Sequence, residues 1–356
     1  MGGNALQAAS VRLPASRYRV VEQEAVQTLQ QHFPGRRIEA VLAYADKPDF
    51  GDLDILVEDH GNYDPMQMAG ALQASEVVRN GDVTSMGLPL AEGIFQVDLI
   101  QTPSASFDFA VRYFGLNDFG NLIGRIAHKF GAKFGHQGLL YPLRDPDNSS
   151  HLIAELCITT DFSTALDLLG YDAERYETMR ITGQFRTLHD IFQYVVSSPY
   201  VNREIYLLDN RNHKARIRDA KRATYTAFLI WLEEQAEGVL PAYPWAEAGS
   251  RERQQQKQEF LESAFAEFPA FKQAYDQALA VNARRKQVRL QYNGSLAAEF
   301  TGLSGKPLGE LMARVRNAFV DESAFEDFFI TSSRETVKAR FLQEAAAGQH
   351  GNKLKT

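Results

Sequence analysis

Two short runs of the sequence place three aspartates where their side chains could meet. Asp52 and Asp54 alternate with apolar residues in Gly51–Val57, and strand residues two apart project from the same face of a sheet. Asp98 lies in a second alternating run, Phe95–Ile100, and a strand formed by this run beside the first would add a third carboxylate. Clustered carboxylates repel each other unless a cation neutralises them, and their hard oxygen atoms suit Mg²⁺ or Mn²⁺. Since two such ions commonly serve in-line displacement at phosphorus, the pattern favours phosphoryl transfer.

A plainer interpretation stays open for the Asp52–Asp54 pair taken alone. An Asp-x-Asp sequence beside a strand often forms a solvated turn or caps a helix. The preceding Gly51 and the partner run Val97–Ile100 favour the catalytic interpretation.

The residues around these aspartates predict an α+β fold that would hold them together. Apolar periodicity indicates helices over 15–33, 64–74, 104–115 and 118–130, and strands near 38–45, 53–59, 76–86, 93–101 and 139–143. Such alternation is typical of a mixed sheet with flanking helices. Residues 1–14 are expected to be flexible.

The aspartate pattern resembles the palm of the polymerase-β nucleotidyltransferase superfamily. Its Gly-Asp-x-Asp strand and third-Asp strand hold two magnesium ions, and Gly51–Val57 with Val97–Ile100 match them. The segment Tyr113–Arg125 also resembles, without gaps, the nucleotide-binding segment of family X DNA polymerases, Tyr-Phe-x-Gly-x-Asp-x-x-Asn-x-x-x-Arg. One fixed position departs from the family, because Leu116 stands in place of Gly.

The resemblance implies roles for individual residues. Asp52, Asp54 and Asp98 would be the catalytic residues and the ligands of two Mg²⁺ (or Mn²⁺) ions. Tyr113 and Phe114 would line the sugar, Asp118 would lie near the base, and Asn121 and Arg125 would reach the base's minor-groove edge or a template strand. The residues expected to bind the nucleotide are Lys47, Gly51, Tyr113, Phe114, Asp118, Asn121 and Arg125. Ordinary core packing is the alternative for Tyr113 and Phe114.

A second departure concerns the triphosphate. The first strand of the family ends in a Gly-Ser pair whose serine holds the triphosphate, but the corresponding stretch Val41–Phe50 lacks that pair and carries Lys47 as its only cation. Backbone N–H groups could cradle phosphate here with Lys47 as a point charge. Triphosphate binding could equally be weakened or displaced to other cations.

A basic window covers residues 203–222. Seven lysines and arginines there face three carboxylates, a local excess of four positive charges in an acidic chain. Such a window could contact nucleic-acid phosphates or the incoming triphosphate, or it could be a solvated face with ion pairs. With two lysines outside the window, the residues expected to contact nucleic acid are Lys129, Lys133, Arg211, Lys214, Arg216, Arg218, Lys221 and Arg222.

The predicted domain order is an N-terminal helix (1–35), the nucleotidyltransferase palm (36–148), a helical thumb-like domain (149–240), a C-terminal helical domain (241–340) and a disordered tail (341–356). The turn-rich Arg144–Asn148 marks the edge of the palm. The glycine-rich Thr301–Leu311 resembles a turn in the tail of tRNA nucleotidyltransferases and poly(A) polymerases, with a purely structural turn as the alternative.

Composition limits the remaining classes. The chain has 356 residues, a net charge of −7 and one cysteine, Cys157, in an apolar run that predicts an inert core position. A single cysteine excludes a disulfide framework and a four-cysteine zinc site, which fits the cytoplasm. The N-terminus lacks a long apolar segment and no run of 18 apolar residues occurs, so neither export nor a membrane partner is expected.

Together these features predict a metal-dependent nucleotidyltransferase that adds nucleotides to a nucleic-acid 3′ end. Its partners would be an NTP or dNTP and a DNA or RNA 3′ end, tRNA included. Tyr113-Phe114 favours deoxynucleotides and the glycine-rich turn favours RNA enzymes, so the sugar stays open, as does the oligomeric state. Two alternatives remain: nucleotidyl transfer onto a protein or small molecule, and a catalytically silent palm that only binds nucleotide or nucleic acid.

Overall fold

A computed structural model gives the fold of residues 5–236 and 238–353, with the backbone alone for 349–353. The chain forms two compact units, one of Met1–Pro142 with Glu155–Phe271 and one of Leu143–Ala154 with Lys272–Thr356. No described helix is long and apolar enough to cross a bilayer.

The first unit begins with the elements that carry the aspartates. In chain order they are β1 (Leu13–Pro14), α1 (Ala15–His32), β2 (Ile38–Ala40), β3 (Asp49–Phe50), β4 (Asp52–Asp59), α2 (Pro65–Ala71), β5 (Glu76–Asn80), β6 (Val83–Leu90), β7 (Gly93–Pro103), α3 (Phe107–Phe114) and α4 (Phe119–Phe130). The predicted helix over 15–33 and strand over 53–59 are confirmed. The prediction of one strand near 76–86 is wrong, because the chain forms two strands there, β5 and β6, which pair as a hairpin.

A mixed five-stranded sheet forms the centre of this unit, with the order β2-β4-β7-β6-β5. Strands β4 and β7 are parallel, and Asp54 lies opposite Asp98 in their register. The other neighbouring pairs are antiparallel. With helices around this sheet and a mostly helical remainder, the predicted α+β class is confirmed.

Alternation gives the two faces of the sheet different roles. Leu53, Ile55 and Leu99 belong to a buried core that α1 joins through residues such as Leu29. Each such side chain contributes about 1.5–3 kcal/mol by leaving water. The opposite face is apolar at one end, where Leu56 packs in a cluster with Ile100, Phe107 and Ala110. Asp52, Asp54 and Asp98 lie on that second face, the first two at the start of β4 and Asp98 in the middle of β7.

The N-terminal segment is ordered over its described part, so the flexible start predicted for 1–14 is wrong from residue 5 onwards. The Val11 N–H group donates to the Ile94 carbonyl at 2.8 Å, and Leu13 pairs with Phe50 between β1 and β3. Residues 1–4 lie outside the described part of the chain.

After α4 the chain continues through a small sheet into helices, all in the first unit except residues Leu143–Ala154. These elements are β8 (Lys133–Gly135), β9 (Gly138–Asp145), β10 (Asn148–Thr159), α5 (Phe162–Leu168), α6 (Ala173–Ile181), α7 (Leu188–Val195), α8 (His213–Ala220), α9 (Ala223–Glu234) and α10 (Arg251–Glu267). Strand β10 contradicts the helical pattern expected from 149 onwards, and the predicted domain edge is the turn of its hairpin with β9. Cys157, predicted to be buried, is exposed on β10.

The second unit is a helical bundle. It contains most of α11 (Pro269–Gln291), then α12 (Gly294–Thr301), α13 (Gly305–Asn317), α14 (Glu322–Thr331) and α15 (Arg334–Lys353) around a core that includes Leu311, Phe329 and Phe341. The disordered tail predicted over 341–356 is therefore wrong through residue 353. Residues 354–356 lie outside the described part, and the finer domain boundaries within 36–340 stay predictions.

Candidate active site

The three aspartates form one cluster. One carboxylate oxygen from each of Asp52, Asp54 and Asp98 lies within 4.8 Å of the others. The parallel pairing of β4 and β7 produces this arrangement, because it sets Asp54 directly beside Asp98 while Asp52 follows on the same face.

Burial and mutual repulsion disfavour the charged forms of these groups. Burial, followed by the neighbouring charges of Asp52 and Asp98, raises the pKa of Asp54 well above the ordinary carboxyl value. Burial also raises the pKa of Asp98, although hydrogen bonds from Ser85 and Gln96 partly oppose the shift. Three clustered carboxylates with hard oxygen ligands are a donor set that fits Mg²⁺ or Mn²⁺.

Gln96 orients Asp98, and the sequence interpretation missed it. Its Nε2 atom donates to both carboxylate oxygens of Asp98, at 3.0 and 2.9 Å. Its own Oε1 atom accepts the backbone N–H of Ala5 at 3.0 Å, which ties the amide to the N-terminal segment. The signal in the sequence was its position two residues before Asp98, on the same face of the strand.

A cleft of about 540 Å³ opens in front of the cluster. Asp52, Asp54 and Lys47 line one wall, and a set of cations from the predicted basic window lines another, namely Arg218, Lys221 and Arg222. Phe114, Asn117 and Asp118 complete much of the surface between them. The cleft therefore carries both carboxylates and cations.

The loop that replaces the Gly-Ser pair has its amides occupied. The N–H groups of Ala45 and Asp46 donate to the carbonyls of Phe185 and Arg186 at 2.9 and 2.8 Å, and that of Lys47 donates to the Tyr44 carbonyl at 3.3 Å. The Arg186 guanidinium also pairs with the Asp46 carboxylate at 3.0 and 3.1 Å. These three amides are therefore not available to a phosphate. They cannot take part in the predicted arrangement in which backbone N–H groups cradle phosphate with Lys47 as a point charge.

Lys47 remains directed at the cluster. Its ammonium group lies 4.4 Å from the centroid of the Phe50 ring. Burial lowers the pKa of Lys47, and the charges of Asp52 and Asp54 act in the opposite direction. Gly51, also expected to bind nucleotide, is a buried position between Phe50 and Asp52 and does not line the cleft.

The predicted sugar-facing pair is divided between two clefts. Phe114 lines the aspartate cleft and stacks on His136 with ring centroids 5.5 Å apart. Tyr113 lines a neighbouring cleft of about 350 Å³. A Cβ atom on Gly120 would lie only 2.5 Å from the Tyr113 carbonyl oxygen, so this close packing requires glycine there.

The turn before α4 keeps a glycine-like backbone without the family's glycine. Leu116 and Asn117 have φ of 58° and 61°, in the left-handed region. The Leu116 N–H group donates to the Leu42 carbonyl at 2.7 Å, and its side chain is 1% exposed. Such a conformation costs roughly 1–2 kcal/mol per non-glycine residue, which burial of the leucine side chain offsets.

Helix α4 presents its polar residues to the basic window rather than to open solvent. Asp118 forms an ion pair with Arg222. Asn121 accepts a hydrogen bond from Arg218 at 3.4 Å, and its buried Nδ2 atom has no partner among the described residues. These contacts link the two predicted ligand-binding segments.

Two arginines predicted to bind ligands make structural contacts within the protein, and their ligand binding stays a prediction. Arg125 is 8% exposed and donates to the Ile205 carbonyl at 3.2 and 3.1 Å, and burial lowers its pKa to about 10. Arg211 pairs with the fully buried Asp219 at 2.6 Å and donates to the Tyr225 hydroxyl at 2.8 Å. A buried arginine needs such partners, and both residues also line the neighbouring cleft of Tyr113.

The other predicted nucleic-acid contacts differ in their availability. Lys214, Arg216 and Lys221 are exposed and make no ion pair within the described residues. Lys133 pairs with Glu155 at 2.9 Å, and Lys129 is partly buried with a lowered pKa, chiefly through burial. The exposed cations on α8 and the following turn are therefore the most accessible of the set.

No protein-family model matches the sequence. No curated protein matches it. Among solved structures, the chain is similar to polymerase beta of Leishmania infantum in a ternary P/T complex and in a ternary gap complex, each with 13% identity and a TM-score of 0.32. The similarity covers 38% of this chain and 60% and 53% of those chains, less than two thirds of their length. At these values the likeness identifies neither an activity nor a substrate.

Proposed function

We propose that this protein is a metal-dependent nucleotidyltransferase that extends a nucleic-acid 3′ end. The observation that carries the proposal is the cluster of Asp52, Asp54 and Asp98, with oxygen atoms within 4.8 Å, because two of its members, Asp52 and Asp54, line a cleft that also presents cations. This combination matches the needs of a nucleoside triphosphate bound with divalent ions.

Each aspartate has a distinct position in the proposed reaction. Asp52 and Asp54 lie two residues apart on one face of β4 and would hold both ions, while Asp98 on β7 would hold the ion near the attacking hydroxyl and help remove its proton. When bound, the ions lower the pKa of that hydroxyl and stabilise the charge that develops on the α-phosphate. Gln96 keeps Asp98 in one orientation through two hydrogen bonds, so its carboxylate is preorganised.

The remaining groups would position the substrates. Phe114 presents an aromatic edge or face to the nucleoside, and Lys47 neutralises charge beside Asp52 and Asp54. The exposed Lys214 on α8 supplies positive charge for an acceptor strand. The nucleic-acid acceptor and the cytoplasmic location are proposals, and the choice between NTP and dNTP stays open.

A primer-extension assay tests the proposal. Single-stranded, duplex and tRNA-like ends are offered with each NTP and dNTP in Mg²⁺ or Mn²⁺, alongside the Asp98→Asn variant. Extension by the unmodified protein that falls at least 100-fold in the variant supports the proposal. A matched substitution, Asp59→Asn at the far end of the neighbouring strand β4, should leave extension within about twofold, because Asp59 accepts a hydrogen bond from Gln101 and does not line the cleft.

One observation favours a second candidate. The loop that would carry the Gly-Ser pair is tied to Phe185 and Arg186, so the protein departs from the family where polymerases hold the triphosphate. Transfer of a single nucleotide onto a protein or small molecule tolerates that departure equally well. Labelled nucleotide that appears on protein, without any extension of the offered ends, would replace the main proposal with this one.

A further inference from the structure

The turn between α8 and α9 has the properties of a polyphosphate site. Arg218, Lys221 and Arg222 lie within five residues of one another and all line the aspartate cleft. Lys221 ends α8 and Arg222 precedes α9, so the change of direction between the helices presents both side chains at one place.

This turn has positive charge left after its internal ion pairs. Asp118 pairs with Arg222, and Asp219 pairs with both Arg211 and Arg218. Counting Lys221, four cations face two carboxylates, which leaves an excess of two positive charges. Lys221 is exposed and has no ion pair within the described residues, so its ammonium group is available to an anion.

Helix α9 adds a smaller contribution. Arg222 at its N-cap position makes no side-chain cap, and Thr224 in its first turn lines the cleft. The N-terminal end of a helix attracts anions through its free N–H groups and its dipole. The cations and the helix end thus favour negative charge at the same wall.

The loop on the other side of the cleft lacks this capacity. The amides of Ala45, Asp46 and Lys47 donate within the protein, and Lys47 is the only cation that the loop supplies to the cleft. A polyphosphate with its ions at the aspartates would therefore find more positive charge on the α8–α9 turn than on the loop.

We propose that Lys221 and Arg218, together with Lys47, bind the polyphosphate of a nucleoside triphosphate in this protein. The inference rests on the proposed function, since it places the triphosphate in the cleft of the aspartate cluster. It assigns to the basic turn the task that the missing Gly-Ser loop would otherwise have. Selectivity for tri- over monophosphates then depends on residues 218–221.

Equilibrium binding tests this site without catalysis. The full-length protein is titrated with nucleoside tri-, di- and monophosphates in Ca²⁺ by calorimetry, using Lys221→Gln and Arg218→Gln. Loss of one charge-assisted contact should raise the triphosphate Kd roughly tenfold or more in each variant, and the monophosphate Kd less than about twofold. The matched control is Arg216→Gln, because Arg216 is exposed on the same helix but does not line the cleft. It should change each Kd less than about twofold.

Three results would overturn the inference. Equal weakening by Lys221→Gln and Arg216→Gln would show an effect of bulk charge. An unchanged triphosphate Kd with weakened binding of single-stranded nucleic acid would assign the turn to the acceptor. No measurable triphosphate binding by the unmodified protein would remove the site altogether. Thermal unfolding of each variant identifies any loss of folding, which is not expected at an exposed lysine.

The outcome is separable from that of the proposed function. Lys221-dependent triphosphate selectivity in a protein that transfers no nucleotide would uphold the site and refute the activity. Extension that requires Asp98, with the same KM for triphosphate in Lys221→Gln, would uphold the activity and refute the site.

Discussion

Replacing Asp54 with asparagine is expected to stabilise the metal-free protein and to abolish its response to Mg²⁺. Two unit charges 4.8 Å apart repel by about 3.5 kcal/mol at an effective dielectric constant of 20, and Asp54 has two such neighbours. Protonation of Asp54 and access of solvent reduce the relief, so we expect a gain of about 1–3 kcal/mol in the free energy of unfolding at pH 8 without metal.

The pH dependence follows from the same charges. Since the folded protein raises the pKa of Asp54 and Asp98, it binds more protons than the unfolded chain, and its stability falls as the pH rises above the ordinary carboxyl range. Asp54→Asn should flatten this slope. Mg²⁺ at ten times its Kd should add about 1.4 kcal/mol to the unmodified protein at pH 8 and much less to the variant.

Urea unfolding at pH 5 and pH 8, in EDTA and in Mg²⁺, measures the free energy of unfolding under all four conditions. The control is Asp59→Asn on the same strand. The pKa of Asp59 is lowered, first by its hydrogen bond from Gln101, so this substitution should destabilise the protein and leave the Mg²⁺ response intact. A less stable Asp54→Asn protein in EDTA, or an equal Mg²⁺ response in both variants, would refute the reasoning about the cluster.

Three further predictions test separate parts of the structure. Gln96→Leu removes the amide that orients Asp98 and should weaken Mn²⁺ binding about tenfold by calorimetry, and an unchanged affinity would contradict its role. Asn117→Gly relieves a left-handed φ of 61° and should leave the free energy of unfolding within about 1 kcal/mol of the parent's value or above it. Leu116→Gly also deletes a buried side chain and should lower the free energy of unfolding by about 1–3 kcal/mol. The reverse order in urea unfolding would be evidence against this account of the turn. Arg211→Met leaves the buried Asp219 with only Arg218 as an ion-pair partner and should destabilise the protein by about 3 kcal/mol. The control Arg216→Met should cost about 0.5 kcal/mol or less. Similar losses of stability from both substitutions would disprove the structural role of Arg211.

The aspartate cluster was predictable because it depends on local alternation and one strand pairing. Gly51–Val57 and Phe95–Ile100 alternate strictly enough to fix which side chains share a face, and the structure pairs them in register. The sequence also predicts α1 and α4, whose periodicity and terminal glycines are local signals. These features require no knowledge of distant contacts.

The environment of individual cations was not predictable in the same way. Arg125 and Arg211 look like exposed binding residues in the sequence, but Ile205 and Asp219 bury them. Ile205 is distant from Arg125 in the sequence. Asp219 is closer to Arg211 in the sequence, but the fold of α8 brings their side chains together. Charge patterns report composition, whereas availability depends on tertiary packing.

The strand β10 and the loop Val41–Phe50 show the same limit. Residues 148–159 mix polar and apolar types without a clean period, and pairing with β9 makes them a strand. Two amides of the loop donate hydrogen bonds to the carbonyls of Phe185 and Arg186, which are far along the chain. The sequence of the loop alone therefore could not show that these amides are unavailable to a phosphate.

Transfer of an α-labelled nucleotide tests the central claim most directly. The protein is incubated with Mg²⁺, a 3′-hydroxyl primer and a nucleoside triphosphate labelled at either the α- or the γ-phosphate, with Asp98→Asn in parallel. We predict that only the α-label joins the primer, that the γ-label leaves as pyrophosphate, and that both events disappear in the variant. Label transfer that persists in Asp98→Asn, or that follows the γ-phosphate, would contradict a nucleotidyltransferase site at Asp52, Asp54 and Asp98.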